Sequence, residues 1–439
     1  MKNAAIACAR VVYNGLYQIF CLMFTRRDEV LFASRQSNSP SKDFKILAER
    51  FEAGGWKPVM ITRTFKAKHA IAYGASTIRQ LYHLARCRAC IVDGYNPAVS
   101  LVNMRCEKSG RSNVRANTDR GVRDARPNDG RDIPCNLPNS RAAMTAVQTE
   151  AARNGAYADT PDSPRAPIHD EFPTRPLVMQ IWHAYGAYKK FGYQAIGTRE
   201  GRSLAAAQAV RMHRNYSWIL CSGECNREVF AQAFSYPVER VVALGRPSFD
   251  EHDELRRHEA QNAAARRADG ARPVVLFAPT LRRSDQSCHP FVDLCNAAEA
   301  GALSGIDAEL RWSFHPTENR GHAGPSGIAS LMGVDIVVTD YSSIMYEAAL
   351  LDKMVVFYLP DIDDYLESPG LNFNPLKVAP EISCICEEEL KAMIKRFIER
   401  PESYDRTALD RLVGDTFEHP GASTTEEIFS FIAGHARGK

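Results

Sequence analysis

The stretch VDIVVTDYSSIMYEAALLDKMVVFYLP, Val334 to Pro360, decides the class of fold. A short apolar run, DIVVT, ends in Asp340-Tyr341-Ser342-Ser343. Those residues open a helical pattern, IMYEAALLDK, and a second apolar run, MVVFYLP, follows directly. Strand, helix and strand in such close succession form a βαβ unit, and the continuous apolar character of both runs suits strands covered on both faces of a parallel sheet. Ser342 and Ser343 have the side chains that cap a helix start.

Working outward, the same alternation continues upstream in PVVLFAPT and LRWSFHP. A polar, Ala- and Arg-rich segment, His252 to Arg272, separates this block from an earlier one. The earlier block carries VLFAS (Val30–Ser34), PVMIT (Pro58–Thr62), ACIVDG (Ala89–Gly94), LVMQIW (Leu177–Trp182), WILC (Trp218–Cys221) and RVVALG (Arg240–Gly245). KDFKILAERFEAGG reads as a helix capped by Ser41 and stopped by Gly54–Gly55. The expectation is an α/β protein of two Rossmann-like domains, residues 28–245 and 246–439. No dinucleotide or P-loop glycine fingerprint occurs in the sequence.

The alternation lapses over residues 104–175, which are rich in Arg, Asn, Asp, Pro and Ser; this is read as a disordered insert. Its arginines are interleaved with aspartates, and the whole chain of 439 residues carries a net charge of only +3, so no nucleic-acid partner is expected. A hydrophobic fraction of 45% and a charged fraction of 24% are those of a globular protein. The 12 cysteines include one CxxC (Cys87, Cys90) and one CxxxC (Cys221, Cys225), neither with a second pair at zinc spacing, and they read as buried thiols in a reducing compartment.

Residues 1–27, MKNAAIACARVVYNGLYQIFCLMFTRR, contain no uninterrupted apolar run long enough to span a bilayer. Arg10, Asn14 and Gln18 recur every four residues and stripe one face of an amphipathic helix. Two readings stay open: a helix lying in a membrane interface, or one packed on the protein's own surface.

Ligands of open parallel sheets bind beyond the carboxyl ends of the strands. There the second block places Thr280, Arg282, His315, Thr339, Asp340, Ser342, Ser343, Asp364 and Tyr365. A guanidinium, an imidazole and a hydroxyl-capped helix start point to a phosphorylated or nucleotide ligand. Asp361, Asp363 and Asp364 are read as a solvated loop, and no metal is expected. In the first block, LVMQIW delivers His183 to the end of a strand, where a neutral imidazole suits a general base. Gly186 lets the chain turn away. Lys189 and Lys190 are read as acceptor-side cations, with a solvated pair as the alternative. His83 and His213 are read as structural.

The series WHAYGAYKKFGY, LGRPSFD, APTLR, FHP, TDYSSIMYEAALLDKMVVFY and DIDDY, with FASRQSNSPSKDFKIL before it, resembles the CDP-glycerol glycerophosphotransferases, which include teichoic-acid primases and polymerases. The resemblance covers residues 28–103 and 176–430. It implies a GT-B architecture, the two domains facing across a cleft, and transfer of a polyol phosphate from a CDP-activated donor to a lipid-linked acceptor hydroxyl with release of CMP. No cofactor is required in that reading. The enzyme would be cytoplasmic, peripheral on the inner face of the membrane. His183 would be the base and His315 the histidine on the donor phosphate. Arg282, Thr339, Ser342 and Ser343 would line the pyrophosphate site, and Asp364 with Tyr365 would close the donor pocket. The chain departs from the family pattern where Ala184 and Tyr185 precede Gly186, and at Pro420-Gly421. Two alternatives remain: a GT-B enzyme acting on a UDP-activated sugar, and a non-catalytic membrane-surface relative.

Overall fold

The computed structural model describes residues 2–64, 70–104, 176–282, 289–314, 325, 327–419, 421 and 423–437. The segment expected to be a disordered insert, His315, and the Pro420 departure lie outside them, apart from Met104 at the start of the insert.

Strands β1 (Arg27–Ser34), β2 (Lys57–Thr62), β3 (Cys87–Val92), β4 (Leu177–Gln180), β5 (Trp218–Cys221) and β6 (Val241–Ala243) form one sheet in the order β2-β1-β3-β4-β5-β6. A second sheet holds β7 (Val274–Phe277), β8 (Glu309–Trp312), β9 (Ile336–Thr339), β10 (Met354–Tyr358) and β11 (Ser383–Cys384) in the order β11-β10-β9-β7-β8. Every pairing in both sheets is parallel. This is the expected pair of Rossmann-like sheets.

The period-2 geometry of β1 divides its side chains between two cores. Leu31 and Ala33 face a layer with Leu81 and Leu84 of α3 (Ala70–Arg86), whereas Val30 and Phe32 face Phe44 and Phe51 of α2 (Lys42–Ala53). Ser41 caps α2, its hydroxyl accepting from the Phe44 amide. The predicted thiols Cys87 and Cys90 are buried in β3.

Two boundaries differ from expectation. The helix Thr424–Arg437, assigned by sequence to residues 246–439, places Ile428 and Ile432 in the core with Val30 and Phe32 of the first sheet. Its apolar stripe completes a face that α2 alone leaves uncovered. Tyr188, assigned by sequence to residues 28–245, is buried in the second core, stacked on Phe373 at 4.7 Å. Each domain therefore holds a piece of the other's chain.

The N-terminal helix α1 (Lys2–Met23) lies on α3. Tyr17 is fully buried, and Phe20 and Phe24 meet the Tyr82 ring edge-on at 5.7 and 5.1 Å. The polar stripe also turns inward: Asn14 Oδ1 accepts from the Asn103 amide at 2.8 Å, and Gln18 Nε2 donates to the Asn103 carbonyl at 2.9 Å. Val11, Ile19, Leu22 and Met23 are left outward, from 50% to 71% exposed. The surface-packing reading holds for one face, while the other presents apolar side chains to the surroundings. Over Ile6–Met23 the mean hydropathy is 1.3, long and apolar enough by length and composition to cross a membrane.

Candidate functional site: two switch points joined by one segment

In each sheet the strand order reverses once, between β1 and β3 in the first and between β7 and β9 in the second. Such reversal points open a crevice at the strand ends because the two adjacent connections leave on opposite faces.

His183 stands at the first crevice. Its Nδ1 lies 3.2 Å from the carbonyl of Asp93, which follows β3, and at a longer 3.4 Å from Gln36 Nε2, beyond β1, an NH2 group that would donate to an unprotonated Nδ1. The Asp93 carbonyl can only accept and is the nearer of the two, so it favours a proton on Nδ1 and leaves Nε2 as the basic nitrogen. The ring is solvent-exposed. Protein packed around it pushes its pKa below the ordinary histidine value; Asp93 opposes that shift and the nearby Arg246 charge reinforces it. The Asp93 carboxyl is itself pushed up to about 6 by burial, opposed by a bond from Ser34.

The second crevice is a closed polar network. Asp340, at the end of β9, accepts from the Thr280 amide at 2.7 Å and pairs with Arg282 at 3.0 Å. Arg282 also pairs with Asp361 at 2.8 Å, and the Tyr341 hydroxyl donates to Asp361 at 3.0 Å. Tyr365 stacks on Tyr341 at 3.7 Å, with the guanidinium 4.9 Å from its ring centre. Burial works against the Arg282 charge, but the two carboxylates more than restore it.

This network corrects several expected roles. Arg282 is charge-balanced by the buried Asp340 and half-buried Asp361 carboxylates instead of being presented to solvent. Asp361 is its partner and not part of a solvated loop. The Thr339 hydroxyl is fully buried and donates to the Ala278 carbonyl at 2.7 Å, tying β9 to β7, so it does not line a crevice. Asp364 is exposed while Tyr365 is buried. Ser342 accepts from the Ile344 amide at 3.4 Å; Ser343 is exposed and makes no capping bond to its helix, Ile344–Leu350.

One segment links the two crevices. Gly186 passes so close to Tyr346 of the second domain that a Cβ there would collide with the phenol. Asn372 grips the next residues, its Nδ2 donating to the Ala187 and Lys189 carbonyls at 2.8 and 3.2 Å. Lys189 Nζ reaches Thr280 Oγ1 at 3.4 Å. The lysine expected on the acceptor side thus enters the second crevice. Burial pulls its pKa below the usual range, and Asp340 and Glu200 oppose the shift. Lys190 is half-buried, and its amide donates to the Gly370 carbonyl at 3.0 Å.

His83 and His213 have the structural partners expected of them, Glu29 at 2.7 Å and the Tyr216 hydroxyl at 3.2 Å. Sequence reasoning missed Asp43, Asp93, Arg246 and Asn372, whose roles depend on partners distant in the chain. The available signal for Arg246 was its place just after the apolar run RVVALG.

Among known proteins, the chain is 27% identical over 280 residues to a teichoic acid poly(ribitol-phosphate) polymerase of Bacillus spizizenii, covering 58% of this chain and 43% of that protein. It is 26% identical over 289 residues to the ribitol-phosphate primase of the same organism, covering 58% and 69%. With its glycerol-phosphate primase the figures are 25% over 256 residues, 52% and 65%. The chain thus spans less than half of the first relative's length and about two thirds of the other two. A solved structure of the wall teichoic acid polymerase TagF aligns with 99% of this chain and 98% of its own at a TM-score of 0.59 and 13% identity, a likeness of fold that agrees with the expected GT-B architecture. The family model for CDP-glycerol:poly(glycerophosphate) glycerophosphotransferase matches residues 169–433, well over half of the chain, and the protein belongs to that family.

Proposed function

We propose that this protein transfers glycerol phosphate, or a related polyol phosphate, from a CDP-activated donor to the hydroxyl of a teichoic-acid-type acceptor, releasing CMP. The observation that carries the reading is the segment from His183 to Lys189, which places a neutral imidazole at one crevice and an ammonium at the other. His183 Nε2 takes the proton of the acceptor hydroxyl as its oxygen attacks the β-phosphorus of the donor. The P–O bond to the CMP phosphate breaks, and CMP leaves with the bonding electrons. Lys189 at Thr280 and the exposed Ser343 hydroxyl face the charge that develops. Fixed donors of this kind supply much of the rate gain in phosphoryl transfer. His315 is assigned to the same charge by the resemblance alone. No metal or cofactor enters the proposal.

The acceptor is proposed to be lipid-linked and met at a membrane surface. The outward apolar face of α1 supports this, since an interfacial helix buries such a face at the headgroup boundary. In this reading the enzyme is a peripheral one on the cytoplasmic face of the cell membrane.

The test is CMP release from CDP-glycerol and CDP-ribitol in the presence of a lipid-linked primer, with the product weighed by mass spectrometry. Growth of the primer by one kind of polyol phosphate is expected. Turnover of a UDP-activated sugar in place of both CDP donors would overturn the reading.

A further inference from the structure

The backbone at His183 is held in an unfavourable shape. Trp182, the residue before it, has a φ of 51°, in the left-handed region that a bulky side chain avoids. Such a conformation persists only where its surroundings over-determine it. Part of the restraint is local: Gln180 Oε1 accepts from the Trp182 amide at 2.9 Å, and the indole stacks on Phe191 at 4.6 Å.

The rest comes from far along the chain. Arg246 Nη1 donates to the carbonyls of Ile181 at 3.4 Å and Ala184 at 3.0 Å, one on each side of the Trp182–His183 pair. Its Nη2 pairs with Asp43 Oδ2, and Asp43 Oδ1 accepts from the Ser248 amide at 2.9 Å. Both side chains are buried. Burial opposes ionisation of Asp43, but Arg246 and Ser248 hold its pKa below the carboxylate range, so the pair stays charged. The Arg246 carbonyl in turn accepts from Thr424 Oγ1 at 2.7 Å, on the helix that returns from the second domain. An ion pair this deeply desolvated is an expensive way to stabilise a fold. An arginine suits the place because its planar fork serves a carboxylate and two carbonyls together, which a lysine cannot reproduce.

We propose that the buried Asp43–Arg246 pair is the positioning device for the catalytic base, clamping the Ile181 and Ala184 carbonyls so that the His183 ring stays against the Asp93 carbonyl. The inference rests on the proposed transfer reaction for its meaning, but the geometry it asserts is testable without turnover. Neither residue of the pair is assigned contact with substrate.

The experiment compares the wild-type protein with R246K and D43N. In imidazole ¹⁵N NMR, the His183 signals are identified by their loss in H183Q. The wild type is expected to show a proton on Nδ1 at neutral pH, and R246K a mixture of the two tautomers. In CMP release, kcat should fall about 10²-fold in R246K, the effect of a misplacement near 1 Å, with less loss in D43N. KM for the CDP donor should stay within about twofold, because its crevice lies in the other domain. A thermal melt shows whether R246K is folded, and if it is not, D43N decides. An unchanged His183 tautomer and kcat in a folded variant would overturn the proposal. If the wild type turns over no CDP donor, the reaction reading fails while the NMR comparison still decides the clamp.

Discussion

His183 donates through Nδ1 to the Asp93 carbonyl only while that nitrogen holds the proton, so which ring nitrogen is left basic depends on a partner that follows another strand. Replacing it with alanine should lower CMP release by about 10²–10⁴-fold if it accepts the acceptor proton. The pH dependence follows from the direction of its shift. Its pKa lies below the ordinary histidine value, so the neutral form dominates at pH 7. On account of this group the rate should be level from neutral pH upward. It should fall only as pH drops below about 6.5, the unperturbed histidine value. A pH–rate profile of the wild type against H183A measures this. Arg282 teaches the reverse lesson. Its guanidinium looked poised for phosphate, but the two carboxylates that meet it lie 58 and 79 positions further along the chain.

At the scale of the element, α1 is the informative case. Its polar residues, the natural choice for a solvent-facing stripe, instead bond the Asn103 backbone. That choice turns the apolar residues outward. Removing the helix would therefore strip Tyr17 from the first-domain core as well as test membrane contact. A sharper variant changes only the outward positions: Val11, Ile19, Leu22 and Met23 to serine. Membrane partition in a vesicle flotation assay should fall strongly, since each lost apolar side chain removes about 1.5–3 kcal/mol of interfacial burial at most. The melting temperature and donor binding should remain those of the wild type. Undiminished flotation would count against the membrane reading.

At the scale of the molecule, the two domains are held in register by elements that cross between them: Gly186 under Tyr346, Tyr188 in the second core, and the returning helix on the first. Glu347 sits beside this junction with Oε2 buried and without a partner. Burial pushes its carboxyl up to about 7 from an ordinary 4.5, with a backbone bond and Arg246 opposing. A raised carboxyl pKa means that the folded state retains a proton the unfolded chain releases. The cost is absent below pH 4.5, grows between 4.5 and 7, and is complete above 7. E347Q should therefore stabilise the protein at pH 8 by on the order of 1–3 kcal/mol and have little effect at pH 4.5, as read by chemical denaturation. Equal effects at both values would show that Glu347 ionises freely in the fold.

The alternation of apolar runs and amphipathic segments was sufficient to determine two parallel sheets, because strand and helix periods are local properties of the chain. His183 was legible for the same reason, as a polar residue closing an apolar strand. The resemblance added the order of motifs and hence the class of reaction expected. Only the tertiary structure decided which carboxylates neutralise Arg282, which guanidinium clamps the His183 turn, and that Lys189 enters the second crevice. It also decided which face of α1 meets the protein. Each of these depends on the pairing of charged or polar groups far apart in sequence. Burial makes such pairing obligatory, but a local pattern cannot name the partner.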